Sequence, residues 1–180
     1  MHRFPKGLKG MELALGLVLT ALLFCVIIAP FTLPSGSVTD LSGSVGTIDN
    51  GPRISHFNPF AQAVYYLGDI NCHQIKERTY VLNGNEMPVC SRDLGILSAL
   101  PITLFALAFI NFRPRFWMVI VLLIPMGLDG GLQAFTSYTS FNELRFITGI
   151  LGGIAAGLFL AMIARMALSP DPASESSLSG

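Results

Sequence analysis

Cys72 and His73 stand side by side in the chain, Cys90 follows a polar stretch, and Asp129 is a carboxylate set in an otherwise apolar run. Thiolate, imidazole and carboxylate form a donor set suited to zinc, which makes Cys72, His73, Cys90 and Asp129 the candidate metal ligands. No CxxC or HExxH spacing accompanies them, so the pattern specifies no particular metal motif. Two other readings of the cysteines stay open: a Cys72–Cys90 disulfide in an oxidising compartment, and a redox-active thiol pair. Cys25 lies within an apolar run and reads as a packing residue, while His56 stands alone in a polar loop and reads as solvated.

Arg78, Arg92 and Arg145 offer planar guanidinium groups of the kind that pair with phosphate oxygens. Together with Gln74, Gln133 and Asn142 they are the candidate contacts to an anionic, lipid-like substrate. In that reading Asp129 and His73 are the candidate catalytic residues, because a carboxylate or an imidazole can take up or deliver a proton. Glu77, Asp93 and Glu143 lie close in sequence, which leaves simple charge pairing as the competing account. Asp129 has its own bland alternative, a structural ion pair with Arg145 or Arg92, since a carboxylate in a membrane segment requires a partner or a wet cavity.

Composition fixes the setting. Hydrophobic residues make up 52% of the 180 and charged residues 12%, against roughly a quarter charged in soluble proteins. Mean hydropathy is +0.61. Net charge is zero and the basic residues are scattered, so a nucleic-acid partner is excluded. The lipid bilayer is the expected environment. Apolar segments at 11–33, 93–112, 116–135 and 142–168 are each long enough to cross a bilayer, which takes about 20 residues. Residues 1–10 carry Arg3, Lys6 and Lys9 and read as a cytoplasmic N-terminus; the first apolar run is longer than a signal-peptide core and is expected to be retained.

The fold expected is an all-α integral membrane protein, a four-transmembrane-helix bundle with an extracytoplasmic loop subdomain over residues 34–92. Within that loop Phe60, Val64 and Leu67 recur at helical spacing and predict a short interfacial helix, and Asn83-Gly84 marks a hairpin turn. The tail, 169–180, is rich in Ser, Pro and acid and reads as disordered. Short connections at Arg113–Arg115 and 136–141 force neighbouring helices to run antiparallel. Basic residues place both termini in the cytoplasm of a multi-pass protein of the cell membrane. This threading carries four polar clusters to one outer face: Cys72-His73-Gln74 with Arg78, Cys90-Ser91-Arg92-Asp93 with Gly95, Asp129-Gly130 with Gln133, and Asn142 with Arg145, Thr148 and Gly149. Along the helices Asp129 and Gln133 are four apart, and Asn142 and Arg145 three apart, so each pair shares a face. Gly149, Gly153 and Gly157 form a small-residue stripe, and Gly127 with Gly131 another, both predicting close helix approach. The glycines around Asp129, just beyond Pro125, also predict a loosened helix there.

The stretch YYLGDINCHQIKERTYVLNGNEMPVCSRDLGI, followed by PMGLDGGLQ and SFNELRFITGILGG, resembles the membrane-protein family known as domain of unknown function family 2085. The resemblance runs from Tyr65 to Gly153. It rests on Cys72, His73, Gln74, Arg78, Pro88, Val89, Cys90, Arg92, Asp93, Gly95, Ile96, Asp129, Gly130, Gln133, Asn142, Arg145, Thr148 and Gly149. The family pattern often has a Cys-Thr-Gly-like sequence after the arginine, where this chain has Asp93-Leu94-Gly95. The resemblance implies a multi-pass prokaryotic membrane protein and supplies no activity. Two functional classes follow from the residues. One is a membrane-embedded, metal-assisted enzyme acting on an anionic lipid-like substrate. The other is a non-catalytic accessory subunit of a membrane complex, or a small transporter, with a Cys72–Cys90 disulfide and a structural ion-pair network.

Overall fold

The computed structural model describes residues 6–110 and 112–167, so the expected disordered tail and the first residues of the N-terminus lie outside the described residues. Four helices are long and apolar enough to cross a membrane. They are α1 (Lys6–Ile28), α4 (Ser91–Phe109), α5 (Phe116–Phe135) and α6 (Asn142–Ala167), with α2 (Gly51–Ile54), α3 (Pro59–Asn71) and the strands β1 (Val81–Leu82) and β2 (Asn85–Glu86) between α1 and α4. The protein is an all-α, multi-pass membrane protein.

Two helix bounds shift from expectation. The first helix begins at Lys6, because Gly10 is carried within it, and it ends at Ile28 where Pro30 tightens the chain into a 3-10 turn over Ala29–Thr32. The second span begins at Ser91 rather than residue 93, since the Cys90 carbonyl already accepts the Leu94 N–H at 3.0 Å, and it ends at Phe109. Pro101 and Pro125 both sit inside continuous helices, each removing one backbone donor from its helix.

Close approach of α4 and α6 organises the bundle, with α1 on the other flank of α4 and α5 packed on α6. The glycine stripe of α6 makes that approach. A Cβ on Gly149 would stand 2.2 Å from the Arg92 carbonyl oxygen, and one on Gly153 would stand 2.5 Å from that of Ile96. The stripe on α5 behaves differently. A Cβ on Gly127 or Gly131 would meet nothing within 4 Å, so the expected close contact there is absent among the described residues. The reason is the orientation of α5, which turns Met126 rather than its glycines onto α6 at Gly152.

The loop segment forms a small packed cap over one end of the bundle. Val38, Leu41, Ile54, Ala61, Val64, Tyr65 and Met87 are buried together with Val26 and Ala29 from the end of α1. The buried stripe of α3 is Ala61, Val64, Tyr65 and Gly68, while Phe60 and Leu67 are exposed. That stripe differs from the one expected because the cap closes over the Tyr65 side of the helix. Asn83 and Gly84, both with positive φ (53° and 71°), turn the chain between the paired strands β1 and β2.

Two buried side chains lock the polar loop onto this cap. The Asn85 amide donates to the carbonyls of Pro30 (2.8 Å) and Pro34 (3.0 Å) and accepts from the Val38 N–H (2.9 Å). The Glu86 carboxylate accepts from the Asp40 and Leu41 N–H groups at 2.7 and 3.0 Å. A loop with so much backbone folded inward needs these partners, because an unpaired buried polar group is costly.

Candidate functional site

At the loop end of the bundle, α4 opens on Cys90-Ser91-Arg92-Asp93, and the cap descends onto it. Cys72 ends α3 and is buried; the Cys90 N–H donates to its sulfur at 3.2 Å. Both thiols are free in this structure. The Sγ atoms of Cys72 and Cys90 and a carboxylate oxygen of Asp93 all lie within 4.8 Å of one another. Among the described residues this is the group of three His, Cys, Asp or Glu donors close enough to share an ion. It takes in two of the four expected ligands. His73 is exposed and Asp129 lies elsewhere in the site, while Asp93, expected only as a charge partner, supplies the third donor. One sequence signal marked Asp93: it stands three residues after Cys90 in the first turn of α4, on the same helical face.

The two sulfurs are unequal. Cys90 is held below the ordinary thiol range, chiefly because the Cys72 thiol donates to it, and this outweighs the opposing effects of burial and the nearby Asp93. Cys72 is pushed well above that range by the same hydrogen bond, by burial and by the negative charges of Cys90 and Asp93. As a thiol, Cys90 donates to Asp93 Oδ2 at 3.2 Å; as a thiolate, it accepts from Cys72. The sign follows directly: a depressed pKa means that Cys90 is already ionised at pH values where a free cysteine is still largely protonated. In the metal-free protein near neutral pH, iodoacetamide is therefore expected to label Cys90 before Cys72. Peptide mapping after timed alkylation checks the order, and preferential labelling of Cys72 would reverse the assignment.

Beside the thiols runs a second network. Arg92 is ion-paired with Asp129, joining the start of α4 to α5. The Gln133 amide donates to Asp129 Oδ2 and to the Asp129 carbonyl, both at 3.0 Å, and its oxygen accepts from Arg145 on α6. Arg145 is only 3% exposed and also donates through Nε to the Ser140 carbonyl at 3.2 Å. Asp129 is 5% exposed, and its Oδ1 has no hydrogen-bond partner among the described residues; nor has Nε of Arg92. Arg78 contributes its charge to the same region, close enough with Arg92 to bear on the Arg145 guanidinium. Ser91 Oγ sits between the Arg78 carbonyl (3.1 Å) and Asn142 Oδ1 (3.0 Å), tying cap, α4 and α6 together. Asn142 also donates to the Thr79 carbonyl at 3.4 Å.

Gln74 belongs to the scaffold. It is 1% exposed with φ of +47°; its Nε2 amide donates to the Pro88 carbonyl at 2.9 Å, and its Oε1 accepts from Asn50 at 3.1 Å. Asn50 in turn donates twice to the buried Asp69 carboxylate, at 2.7 and 3.0 Å. Since Pro88 lies two residues before Cys90, this strut fixes the distance between the cysteine-bearing segments. Gly68 enforces it: a Cβ there would stand 1.9 Å from the Pro88 oxygen.

Residues 72–159, which hold every element of this site except the cap's inner struts, match the family model described as "predicted membrane protein", domain of unknown function family 2085. An uncharacterised protein of Methanocaldococcus jannaschii is 35% identical over 105 residues, covering 56% of this chain and 67% of that protein. An uncharacterised protein of Methanothermobacter thermautotrophicus is 33% identical over 101 residues, covering 54% of this chain and 90% of that protein. No solved structure matches. By family model and by relatives alike, the chain belongs to domain of unknown function family 2085, a family of predicted membrane proteins.

Proposed function

We propose that the loop end of the bundle is a zinc-type metal centre held by Cys72, Cys90 and Asp93, set beside a guanidinium cluster that binds an anionic, lipid-like ligand. One observation carries the reading: three donors of suitable chemistry converge within 4.8 Å. Tetrahedral zinc takes sulfur at about 2.3 Å and carboxylate oxygen at about 2.0–2.2 Å, so small rotamer changes bring such a triangle to bonding distance. Three protein donors leave one position open, the pattern of a catalytic rather than a purely structural site. The lowered pKa of Cys90 favours the thiolate that a metal requires. A bound metal would act as a Lewis acid toward a ligand oxygen.

Charge supports an anionic ligand. Arg78, Arg92 and Arg145 against Asp93 and Asp129 leave one net positive charge, which a divalent ion balanced by the Cys72 and Cys90 thiolates leaves unchanged. Asp129, with one oxygen engaged by Arg92 and Gln133 and the other without a partner among the described residues, is the group best placed to take a proton from that ligand. His73, exposed next to Cys72, is available at the rim for the same purpose. The opposite end of the bundle carries Lys9, Arg113, Arg115 and Arg165, which supports cytoplasmic termini and an outward-facing site.

Elemental analysis of the purified protein, with thiol counting under non-reducing conditions, tests the centre. One zinc per chain with Cys72 and Cys90 unoxidised is expected, and Cys72→Ser or Asp93→Ala should weaken zinc binding by at least about a hundredfold, since even outer-shell changes cost up to that much. Protein without stoichiometric metal, in which Cys72 and Cys90 are joined by a disulfide, would replace this reading with a structural one.

A further inference from the structure

A second cleft, away from the cysteine site, lies where the cap meets the end of α1. Its volume is about 500 Å³, within the range of small-ligand sites. The floor is apolar, made by Leu33, Val38, Leu41 and Phe57, and the rim carries Arg53 and His56. Three features decide what such a cleft can hold.

Position is the first. The membrane span that includes α1 closes at Thr32, so the floor begins at the very next residue, Leu33. A ligand can reach the cleft from the headgroup layer without leaving the bilayer. Exposed Phe31 stands two residues before Leu33, a ring suited to that depth.

Charge is the second. Arg53 Nη1 donates to the carbonyls of Thr39 (2.7 Å) and Asp40 (3.1 Å), which anchors the guanidinium at the rim. No hydrogen bond from its Nε or Nη2 to any described residue accompanies these, so a fork of donors is left for a ligand. Asp40 feels the charge of Arg53 but is paired with Lys76 at 2.7 Å, so these two cations and one carboxylate leave a net positive charge beside the cleft. The His56 ring presents an N–H donor in either protonation state.

The third is the division of polarity within one cavity. An apolar floor that starts one residue beyond the membrane span, beneath an oxyanion-binding rim, matches an amphiphile and not a fully polar anion.

We propose that this cleft binds one molecule of an anionic phospholipid, its phosphate on Arg53 and His56 and its glycerol and first methylenes against Leu33, Val38, Leu41 and Phe57. The site is separate from the metal centre, and neither proposal requires the other.

Native mass spectrometry of the detergent-purified, delipidated full chain, titrated with phosphatidylglycerol or phosphatidylcholine, reads the binding directly. Retention of one phosphatidylglycerol, at least about tenfold tighter than phosphatidylcholine, is expected, the scale of one charge-assisted contact. Arg53→Gln should erase that preference. Because Arg53 also holds two backbone carbonyls, Thr39→Trp serves as the second variant: it leaves those carbonyls in place and fills the cleft from an exposed position, and it should abolish retention with thermal stability unchanged. Equal retention of both lipids, or unaltered phosphatidylglycerol binding in the folded Thr39→Trp protein, overturns the proposal. So does displacement of the lipid by inorganic phosphate at matched concentration, which would mark a site for the free anion.

Discussion

Asp129→Leu is expected to cost the folded protein roughly 2–4 kcal/mol, and Arg92→Met a similar amount, yet the double variant should lose much less than their sum. Removing one member of a buried pair strands the other. Arg92 would lose its carboxylate while one-fifth exposed, so partial rescue by water keeps the figure below the top of the range for fully buried pairs. Asp129 would be left with only the Gln133 amide, in a site otherwise closed to solvent. Replacing both removes the desolvation cost of each along with their attraction, which is why apolar replacement of a whole buried pair is often close to neutral. Reversible unfolding of the detergent-solubilised protein supplies the four free energies of the cycle. A coupling of about 2 kcal/mol or more between the positions is the expected value; strictly additive losses would mean that the two side chains do not meet. The same variants bear on function, because a purely structural pair restored as Met and Leu would leave anion binding intact, whereas the proposed ligand site would not survive it.

What the sequence made legible here, and what it hid, follows one physical distinction. Spans are written in local hydropathy, so four crossings could be read directly, and crossings alone bring Arg92, Asp129 and Arg145 to one end. Partner choice within that end is written in three dimensions. Asp129 had two plausible arginines in sequence, and the structure pairs it with Arg92 while Gln133 separates it from Arg145. Asp93 was hidden because an acid beside Arg92 looks like ordinary surface charge until Cys72 arrives from the end of α3. Gln74 was read as a ligand contact for the opposite reason: a polar residue in a motif does not announce that both ends of its amide are spent on Pro88 and Asn50. The segment from Pro34 to Asn58 has Ser and Gly as its commonest residues, a composition typical of loop. Its sparse Val38, Leu41 and Ile54 nevertheless form the heart of the cap, with Asn85 and Glu86 satisfying the backbone they drag inward. Glycine stripes show the same limit, because a small residue permits approach on every side and points to none.

The stripes also yield the other large effect. Gly149→Ala is expected to destabilise the bundle by at least about 3 kcal/mol, the upper end of overpacking costs, although alanine is the better helix former. Its Cβ would stand 2.2 Å from the Arg92 carbonyl oxygen, and the reciprocal contact, a Cβ on Gly95, 2.3 Å from that of Phe146. Both obstacles are backbone, so no side chain can swing aside and α4 must retreat from α6. That retreat carries Cys90, Arg92 and Asp93 with it, away from Cys72 and Asp129. Zinc binding should therefore fall together with stability. Gly127→Ala and Gly131→Ala, where no described residue lies within 4 Å, should by contrast leave stability unchanged or raise it by up to about 1 kcal/mol, the helix propensity gained over glycine. Parallel unfolding curves for the three variants decide the matter. Were Gly127→Ala as harmful as Gly149→Ala, the exposed face of α5 would have to be covered by another chain in the membrane, and the bundle would be only part of the folded unit.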